Sequence, residues 1–562
     1  MGANREAGLA DIRATNPRRR RWLWWVAGAV LAALAAAAGV VGLVLHRAEP
    51  FLRARVVEGL QDRFHAHVEL DSFHVSLVNG LWAEGKGLRI WPPAQVEGVV
   101  APAGQGEPLI RLAEFRFHAP LRYRPGVPVH VSLLELKGLS IHLPPRSHFE
   151  HAANDTSGVA KAPSVPRLVN FQIDRMECTG AELVMETSKP GKLPMQIAIA
   201  HLNLTGITSA GAMNYDAELT NPRPVGTIHA TGRIGPLPGA DLGEAPVQGE
   251  YRFDHADLAS FKGIAGILSS TGRYQGTLRD MTVDGETDTP DFRLTHFGTA
   301  MALHTHFHAK VDGTNGDTWL QPVDATLGRS HFTAEGEVVR VPRPDAPQLS
   351  LGHDIALAVN VDRARIEDFL RLTSRSGKVL LTGDVTLKTK LHIPPGAAPA
   401  DERLKLDGDF ALEQAQFTSA KFQDRIEQLS LRGQGRPDEL KSADAASVRS
   451  EMKGSFQLAG GVVTLPALAY TVPGAVIQLK GTYGVESGAL DFSGTVRTDA
   501  TVSKMVGGWK GMLLKPADRF FRKDGAGTEV PIRIEGTRED PKFGVDFGRM
   551  KSTTPERPGE PR

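Results

Sequence analysis

Apolar and polar residues alternate along most of this chain, and alternation of that kind predicts strands. Three stretches show it plainly. Over 301–311, Met301, Leu303, Phe307, Ala309 and Val311 oppose His304, His306, His308 and Lys310. Over 354–361, Ile355, Leu357, Val359 and Val361 oppose Asp354 and Asn360. Over 383–393, Val385, Leu387, Leu391 and Ile393 oppose Asp384, Lys388, Lys390 and His392. Successive side chains of a strand point to opposite faces, so each stretch has one apolar and one solvated face. The apolar faces must be buried. Few segments have the period of a covering helix. Either two sheets face each other, or one long sheet curls on itself. The same alternation opens the chain at Val68, Leu70, Phe73, Val75 and Leu77 and returns over 109–117 and 129–143.

The period breaks in a few places. Residues 22–45, WLWWVAGAVLAALAAAAGVVGLVL, carry no charge and are long enough to cross a bilayer core as a helix. Arg18, Arg19, Arg20 and Arg21 precede them, and Trp22, Trp24 and Trp25 stand where an interfacial aromatic belt belongs. The arginine excess predicts a cytoplasmic N-terminus and a single span, with about 500 residues on the far side of the membrane. A cleaved signal peptide competes with that reading, because 35–38 offer small residues, but the apolar run continues to Leu45. Over 49–64, Leu52, Val56, Leu60 and Phe64 recur every fourth residue, as on an amphipathic helix. Three further pairs spaced by three, Leu258/Phe261, Ile366/Phe369 and Val502/Met505, each follow a strand and precede a glycine. The implied unit is strands, short helix, strands, repeated into an elongated body.

These breaks divide the chain into a cytoplasmic tail (1–21), the span (22–45), an N-terminal helix with strands (46–143), a polar mobile loop (144–167), a middle set of strand repeats (168–349), a C-terminal region (350–547) and a tail without an apolar anchor (548–562). The expected fold is therefore mainly β: one transmembrane helix, then an elongated, curled antiparallel sheet with a few short helices.

Charge changes this picture little. The net charge is +1, which excludes the basic stripe of a nucleic-acid binder. A single cysteine, Cys178, excludes an intramolecular disulfide. The 59 glycines and 37 prolines are spread as turn punctuation rather than gathered in one segment. The histidines are the strongest lead to chemistry. His304, His306 and His308 share one strand face, and imidazole binds zinc. Side chains two apart on a flat strand sit roughly 7 Å from one another, however, and a solvated outer face explains the same pattern. Ser450 and Lys453 fit S-x-x-K without its companion motifs. Gly525 to Thr528 lacks the lysine of a phosphate loop. Asn154 and Asn203 open chance glycosylation sequons, and Cys178 reads as a small buried residue. No acid–base or nucleophile set emerges. The expectation is a protein that is not an enzyme and has no cofactor.

Two stretches resemble a family. The start, a span, a short helix and VELDSFHVSLVNGLWAEGKGLRI, is similar to the AsmA family of bacterial envelope proteins. Residues 452–498, MKGSFQLAGGVVTLPALAYTVPGAVIQLKGTYGVESGALDFSGTVRT, look like the AsmA-like C-terminal region, and 527–547 look like its closing stretch. The loops at 144–166 and 394–402 are extra to the pattern. The resemblance implies a β-groove related in architecture to bridge-like lipid-transfer proteins, with phospholipid traffic between inner and outer membranes or outer-membrane protein assembly as its role. With the predicted span, the resemblance implies a single-pass protein of a bacterial inner membrane, its body periplasmic, whose apolar groove handles phospholipids. The alternative is a non-catalytic scaffold or assembly factor for outer-membrane proteins. On the first reading Leu303, Phe307, Leu357, Val359, Leu387 and Leu391 point inward to acyl chains. Met505, Trp509, Phe520 and Phe521 dock an envelope partner at the distal end or cap the sheet. Alternation alone leaves open whether the apolar face lines a groove or closes into a core.

Overall fold

The structure is a computed structural model. It describes residues 66–76, 81–91, 107–119, 129–143, 171–185, 191–208, 211–237, 242–296, 299–346, 349–374, 377–441, 448, 450–506 and 527–545, preceded by 50, 53, 54, 56–58, 60 and 61. All described strands belong to one sheet of 25 strands. It begins with β1 (Val68–Glu69), β2 (Ser72–Ser76), β3 (Leu81–Ile90), β4 (Ile110–Ala119) and β5 (Val129–Leu143). It continues through β6 (Phe171–Met185), β7 (Met195–Thr208), β8 (Met213–Pro222), β9 (Val225–Ile234), β10 (Pro246–Asp257) and the two-residue β11 (Ile264–Ala265). The middle is β12 (Ile267–Thr277), β13 (Asp280–Leu294), β14 (Met301–Val311), β15 (Thr318–Leu327), β16 (Ser330–Pro342) and β17 (Ser350–Arg365). The last third is β18 (Leu381–Ile393), β19 (Lys405–Phe417), β20 (Glu451–Ala459), β21 (Val462–Val472), β22 (Ala475–Gly484), β23 (Ala489–Thr498), β24 (Thr528–Thr537) and β25 (Pro541–Val545).

One sheet curls on itself, as one of the two sequence alternatives required. The antiparallel expectation needs one correction, since β5 and β6 pair in parallel. A parallel pair requires the chain to return to the side of the sheet where it started, which a tight hairpin cannot do. The connecting residues, 144–170, lie outside the described residues.

From β6 onward neighbouring strands alternate in direction, so the sheet has two rims, and both carry tight turns. On one rim the 3-10 turn Leu258–Phe261 follows β10 and α1 (Ile366–Leu372) follows β17, whereas α2 (Ala400–Arg403), between β18 and β19, lies on the other. On the first rim again, α3 (Ala420–Gly433) follows β19 and α4 (Val502–Val506) follows β23. We call these the helical rim and the turn rim. Of these five helical segments, those at 258–261, 366–372 and 502–506 lie where apolar pairs spaced by three predict them. α1 is tied down by its own acids: the Asp368 carboxylate accepts from Ser330 Oγ at 2.8 Å, and Glu367 accepts from Arg365 Nε at 2.8 Å. On the turn rim, Gly460 and Gly461 form the two-residue link between β20 and β21. Both have positive φ, 56° and 72°, as a type I′ turn requires.

The core runs along the inner face. Val361, Val385, Leu412, Tyr470, Ile477 and Val496 form its largest cluster, under α1 and α3. Leu112, Leu136, Cys178 and Ala181 form a second. Leu70, Phe73 and Ala83 form a third, against which Val56 and Val57 of the helical residues before β1 pack.

The membrane anchor is the principal correction. No helix among the described residues is long and apolar enough to cross a membrane, and 22–45 lies outside those residues. The longest described helix, α3, has 14 residues and carries Arg425, Glu427 and Arg432, whereas a span needs about 20 apolar ones. The single-pass inner-membrane topology, the periplasmic placement derived from it and the inner membrane as partner have no support in the structure. The anchored phospholipid-handling role built on them is not carried forward.

Candidate functional site

The inner face is built from ladder rows. In the last third three rows run side by side. The first is Leu357, Leu391, Leu406, Leu458, Val463, Tyr483 and Leu490, each paired with the next. The second is Leu387, Phe410, Gly454, Leu468, Leu479, Gly494 and Ile532. The third is Val385, Leu412, Met452, Tyr470, Ile477 and Val496. Apolar side chains from these rows, with Ile366 and Leu370 of α1 and Phe422, Ile426 and Leu429 of α3, enclose a cavity of about 600 Å³. Phe422 stacks on Phe417 with ring centroids 5.2 Å apart and meets Phe543 of β25 edge-on at 5.5 Å. α3 therefore roofs the space between β19 and the end of the sheet. Tyr470 is 3% exposed and lines the cavity. Burial pushes its pKa up. Arg425, Arg533 and Arg538 border the cavity.

Further along, glycines and tyrosines narrow the interior. Gly232 pairs with Gly249, and Gly272 with Gly285. Tyr215, Tyr251 and Tyr274 lie over these glycines. A Cβ on Gly249 would overlap the Thr231 carbonyl and stand 2.8 and 2.9 Å from the Tyr215 and Tyr274 hydroxyls. Those two hydroxyls hydrogen-bond to each other, and Tyr251 Oη lies 3.0 Å from Ser270 Oγ. Burial raises the pKa of all three phenols, so they stay neutral donors. The bare glycine backbone lets the sheet bend inward while the rings fill the space.

The two rims meet across the mouth. The segment ahead of β7 lies on the helical rim, and the turn between β14 and β15 lies on the turn rim. Lys192 Nζ is 2.9 Å from Asp317 Oδ2. Arg340 Nη1 donates to the carbonyls of Pro194 at 3.2 Å and Asn315 at 3.1 Å. Leu193 is 2% exposed between them. Burial lowers the pKa of Arg340. A second latch joins 258–263 and His296 on the helical rim to 394–403 on the turn rim. The Ala400 amide donates to the Lys262 carbonyl at 3.0 Å, Lys262 Nζ donates to the Ala397 carbonyl at 3.5 Å, and His296 Nδ1 bonds Asp401. That bond and the Asp401 charge raise the His296 pKa. The loop at 394–402 is thus half of a latch. From β7 to β15 the ladder counts eight strands, since β10 pairs directly with β12 and the two-residue β11 lies beside it, so each turn of the coil is about as wide as an eight-stranded barrel. Such a bore holds side chains or one slender ligand, not a folded domain.

The predicted residues fall as follows. Leu303, Phe307, Leu357, Val359, Leu387 and Leu391 are all half-buried, while His304, His306, Lys388 and Lys390 beside them are exposed. Leu357 pairs with Leu391, and Leu387 and Val359 pack on the main cluster. None of the six lines the cavity: Leu387 and Leu391 pair with its wall residues Phe410 and Leu406, and Phe307 lies with Tyr251 at the narrowing. Met505 is on α4, and its Sδ is 3.5 Å from Thr498 Oγ1. Trp509, Phe520 and Phe521 lie outside the described residues. His304, His306 and His308 alternate along β14, and His308 bonds Asp284. Among the described residues no group of three or more histidine, cysteine or acidic side chains could hold a metal. Ser450 is buried and bonds the Ala415 carbonyl, whereas Lys453 lies on the outer face, so the S-x-x-K pair does not converge. Cys178 is buried, and burial pushes its thiol pKa up. A wider, open basin of about 960 Å³ lies on the outer face among Lys388, Lys453, Lys480 and Asp409, with a floor of Gly454, Ala467, Ala469 and Gly494.

Sequence reasoning missed Leu412, Met452, Tyr470, Ile477 and Val496 as cavity wall, although each sits at an alternating position. It also missed α3, whose signal was Phe422, Ile426 and Leu429 at helical spacing. Comparison of the chain with protein-family models, with curated proteins and with solved structures returns no match.

Proposed function

We propose that this chain is a non-catalytic scaffold or assembly factor that holds an extended apolar segment of a partner polypeptide, with outer-membrane β-proteins as the client class. The observation that carries the reading is the apolar cavity of about 600 Å³ under α3, next to the last strand of the sheet. Its bore suits a slender chain and is too narrow for a folded domain. Burying one leucine-sized side chain there contributes about 1.5–3 kcal/mol, so a few alternating apolar residues offset the cost of ordering the segment. The resemblance of both ends of the chain to the AsmA family belongs to the same proposal. It supplies the client class, and the geometry supplies the site.

Site-specific photocrosslinking tests this reading. A photoreactive residue at Leu479 faces the cavity, and one at Lys480 faces outward. With a urea-denatured β-barrel outer-membrane polypeptide as probe, position 479 captures the client and position 480 does not. Leu387→Asp lowers the yield at 479, and Lys388→Asp leaves it unchanged. Equal yields at 479 and 480, or capture of added lipid and no polypeptide, would overturn the proposal.

A further inference from the structure

The two ends of the sheet are finished differently. At the start, Val56 and Val57 pack over Leu70, Phe73 and Ala83. At the other end β25 pairs with β24, and among the described residues nothing pairs with its outer edge. Phe543 is 48% and Val545 43% exposed. The register decides which backbone groups face outward. The Thr537 amide donates to the Asp540 carbonyl at 3.4 Å, closing the hairpin. Hydrogen-bonded and non-bonded pairs alternate from there. Glu535 with Lys542 and Arg533 with Gly544 are therefore bonded pairs, and Ile534 with Phe543 and Ile532 with Val545 are not. Pro541, which has no N–H, falls at a non-bonded position, as this phase requires. The N–H and C=O of Phe543 and Val545 thus point away from the sheet. Their side chains continue the inner face, where Gly481, Phe492, Ile534 and Phe543 form one row.

We infer that β25 is a strand-addition site, which docks one amphipathic β-strand of the client polypeptide on the open edge at Phe543 and Val545. The inference rests on the proposed function and names how the client is held. An unpaired row of donors and acceptors at strand spacing is complementary to another strand. The pleat sets the chemistry of that strand. Its residues beside Phe543 and Val545 are apolar and extend the cavity wall, those beside Lys542 and Gly544 are polar, and no proline faces the edge. Strands of outer-membrane barrels alternate in this way. A second copy of this chain fits less well. Antiparallel β25–β25 pairing centred on Phe543 sets Pro541 opposite Val545, and Pro541 leaves the Val545 carbonyl without a donor at each end.

Amide hydrogen exchange on the full chain, with and without a denatured β-barrel outer-membrane polypeptide, tests the inference. The Phe543 and Val545 amides exchange fast in the free protein and slow at least tenfold with the client, while the Lys542 and Gly544 amides, bonded to β24, are slow in both. Val545→Pro removes one outward donor without touching a β24 bond and weakens client binding about fivefold, the worth of one net hydrogen bond. Val545→Ile keeps the donor and the affinity. If the client still crosslinks at Leu479 while the Phe543 and Val545 amides remain fast, the inference is wrong and the cavity reading stands. Protection that grows with protein concentration and without client assigns the edge to self-association and also overturns it. Absence of any client binding removes both.

Discussion

The latch at Asp317 offers the sharpest test of the coil. Asp317 is 3% exposed on its side chain, accepts the Arg340 amide at 3.2 Å and pairs with Lys192 at 2.9 Å, whose side chain is 23% exposed. Asp317→Asn keeps the shape and removes the charge. It leaves the Lys192 ammonium and the half-buried Arg340 guanidinium together without their counter-ion. Breaking a buried pair from one side costs about 3–5 kcal/mol, and the partial exposure of Lys192 lowers that to roughly 2–3 kcal/mol. Each 1.4 kcal/mol is a factor of ten, so the open-to-closed ratio of the mouth rises roughly 30- to 140-fold. Spin labels at Gln196 on β7 and Glu337 on β16, both exposed, straddle the mouth. Pulsed electron paramagnetic resonance should show one narrow distance in the parent and a longer, broader population in the variant. Lys192→Met alone should have a smaller effect, and the double variant should fall short of the sum by about 1–2 kcal/mol. An unchanged distance distribution, or strict additivity, would refute the claim that this pair holds the two rims together.

Two further outcomes follow from the interior and the second latch. Gly249→Ala forces a methyl into the Thr231 carbonyl and the tyrosine pair, an overpacking cost of about 1–3 kcal/mol. It should raise exchange at the β9 and β10 amides, whereas Gly544→Ala, with open space around it, should not; equal effects would mean that the tyrosines do not press on the ladder. The pH dependence of the second latch has two sides. His296 is raised above 6.5 by the Asp401 hydrogen bond and charge, with Glu402 and Glu486 adding to it, so its contribution is complete below 6.5 and is lost as pH rises through the higher folded value. His353, whose ring meets Phe261 of this latch edge-on at 6.4 Å, is lowered by burial and then by Arg340 and Arg223, so its contribution is complete above 6.5 and is lost as pH falls through the lower folded value. The protection factor of the Ala400 amide, its exchange relative to the intrinsic rate at each pH, should therefore fall on both sides of a neutral maximum, and His296→Asn should abolish the alkaline fall alone. An alkaline loss of protection that survives in His296→Asn would place the titration elsewhere.

Alternation along the chain determined most of what faces inward. A strand's side-chain period of two is set by covalent geometry, so Leu357, Val359, Leu387 and Leu391 could be placed on one face from local pattern alone. Apolar pairs three apart likewise marked the segments at 258–261, 366–372 and 502–506. Other features belong to pairing partners distant in sequence. Which glycine a tyrosine covers depends on register, and Tyr215 reaches Tyr274 only because β8, β9, β10 and β12 are neighbours in the sheet. The choice between a groove wall and a closed core depended on how far the sheet coils. Lys192, Asp317 and Arg340 settle that over the middle strands by drawing opposite rims together, while among the described residues nothing pairs with the outer edge of β25. The transmembrane expectation came from residues outside the described body, and no described helix supplies a span. What the sequence by itself determined is a long ladder of strands with one apolar face. The radius of its coil, the latches across its mouth and the open edge at β25 were decided by tertiary contacts, because curvature and closure arise from groups far apart along the chain that no local period encodes.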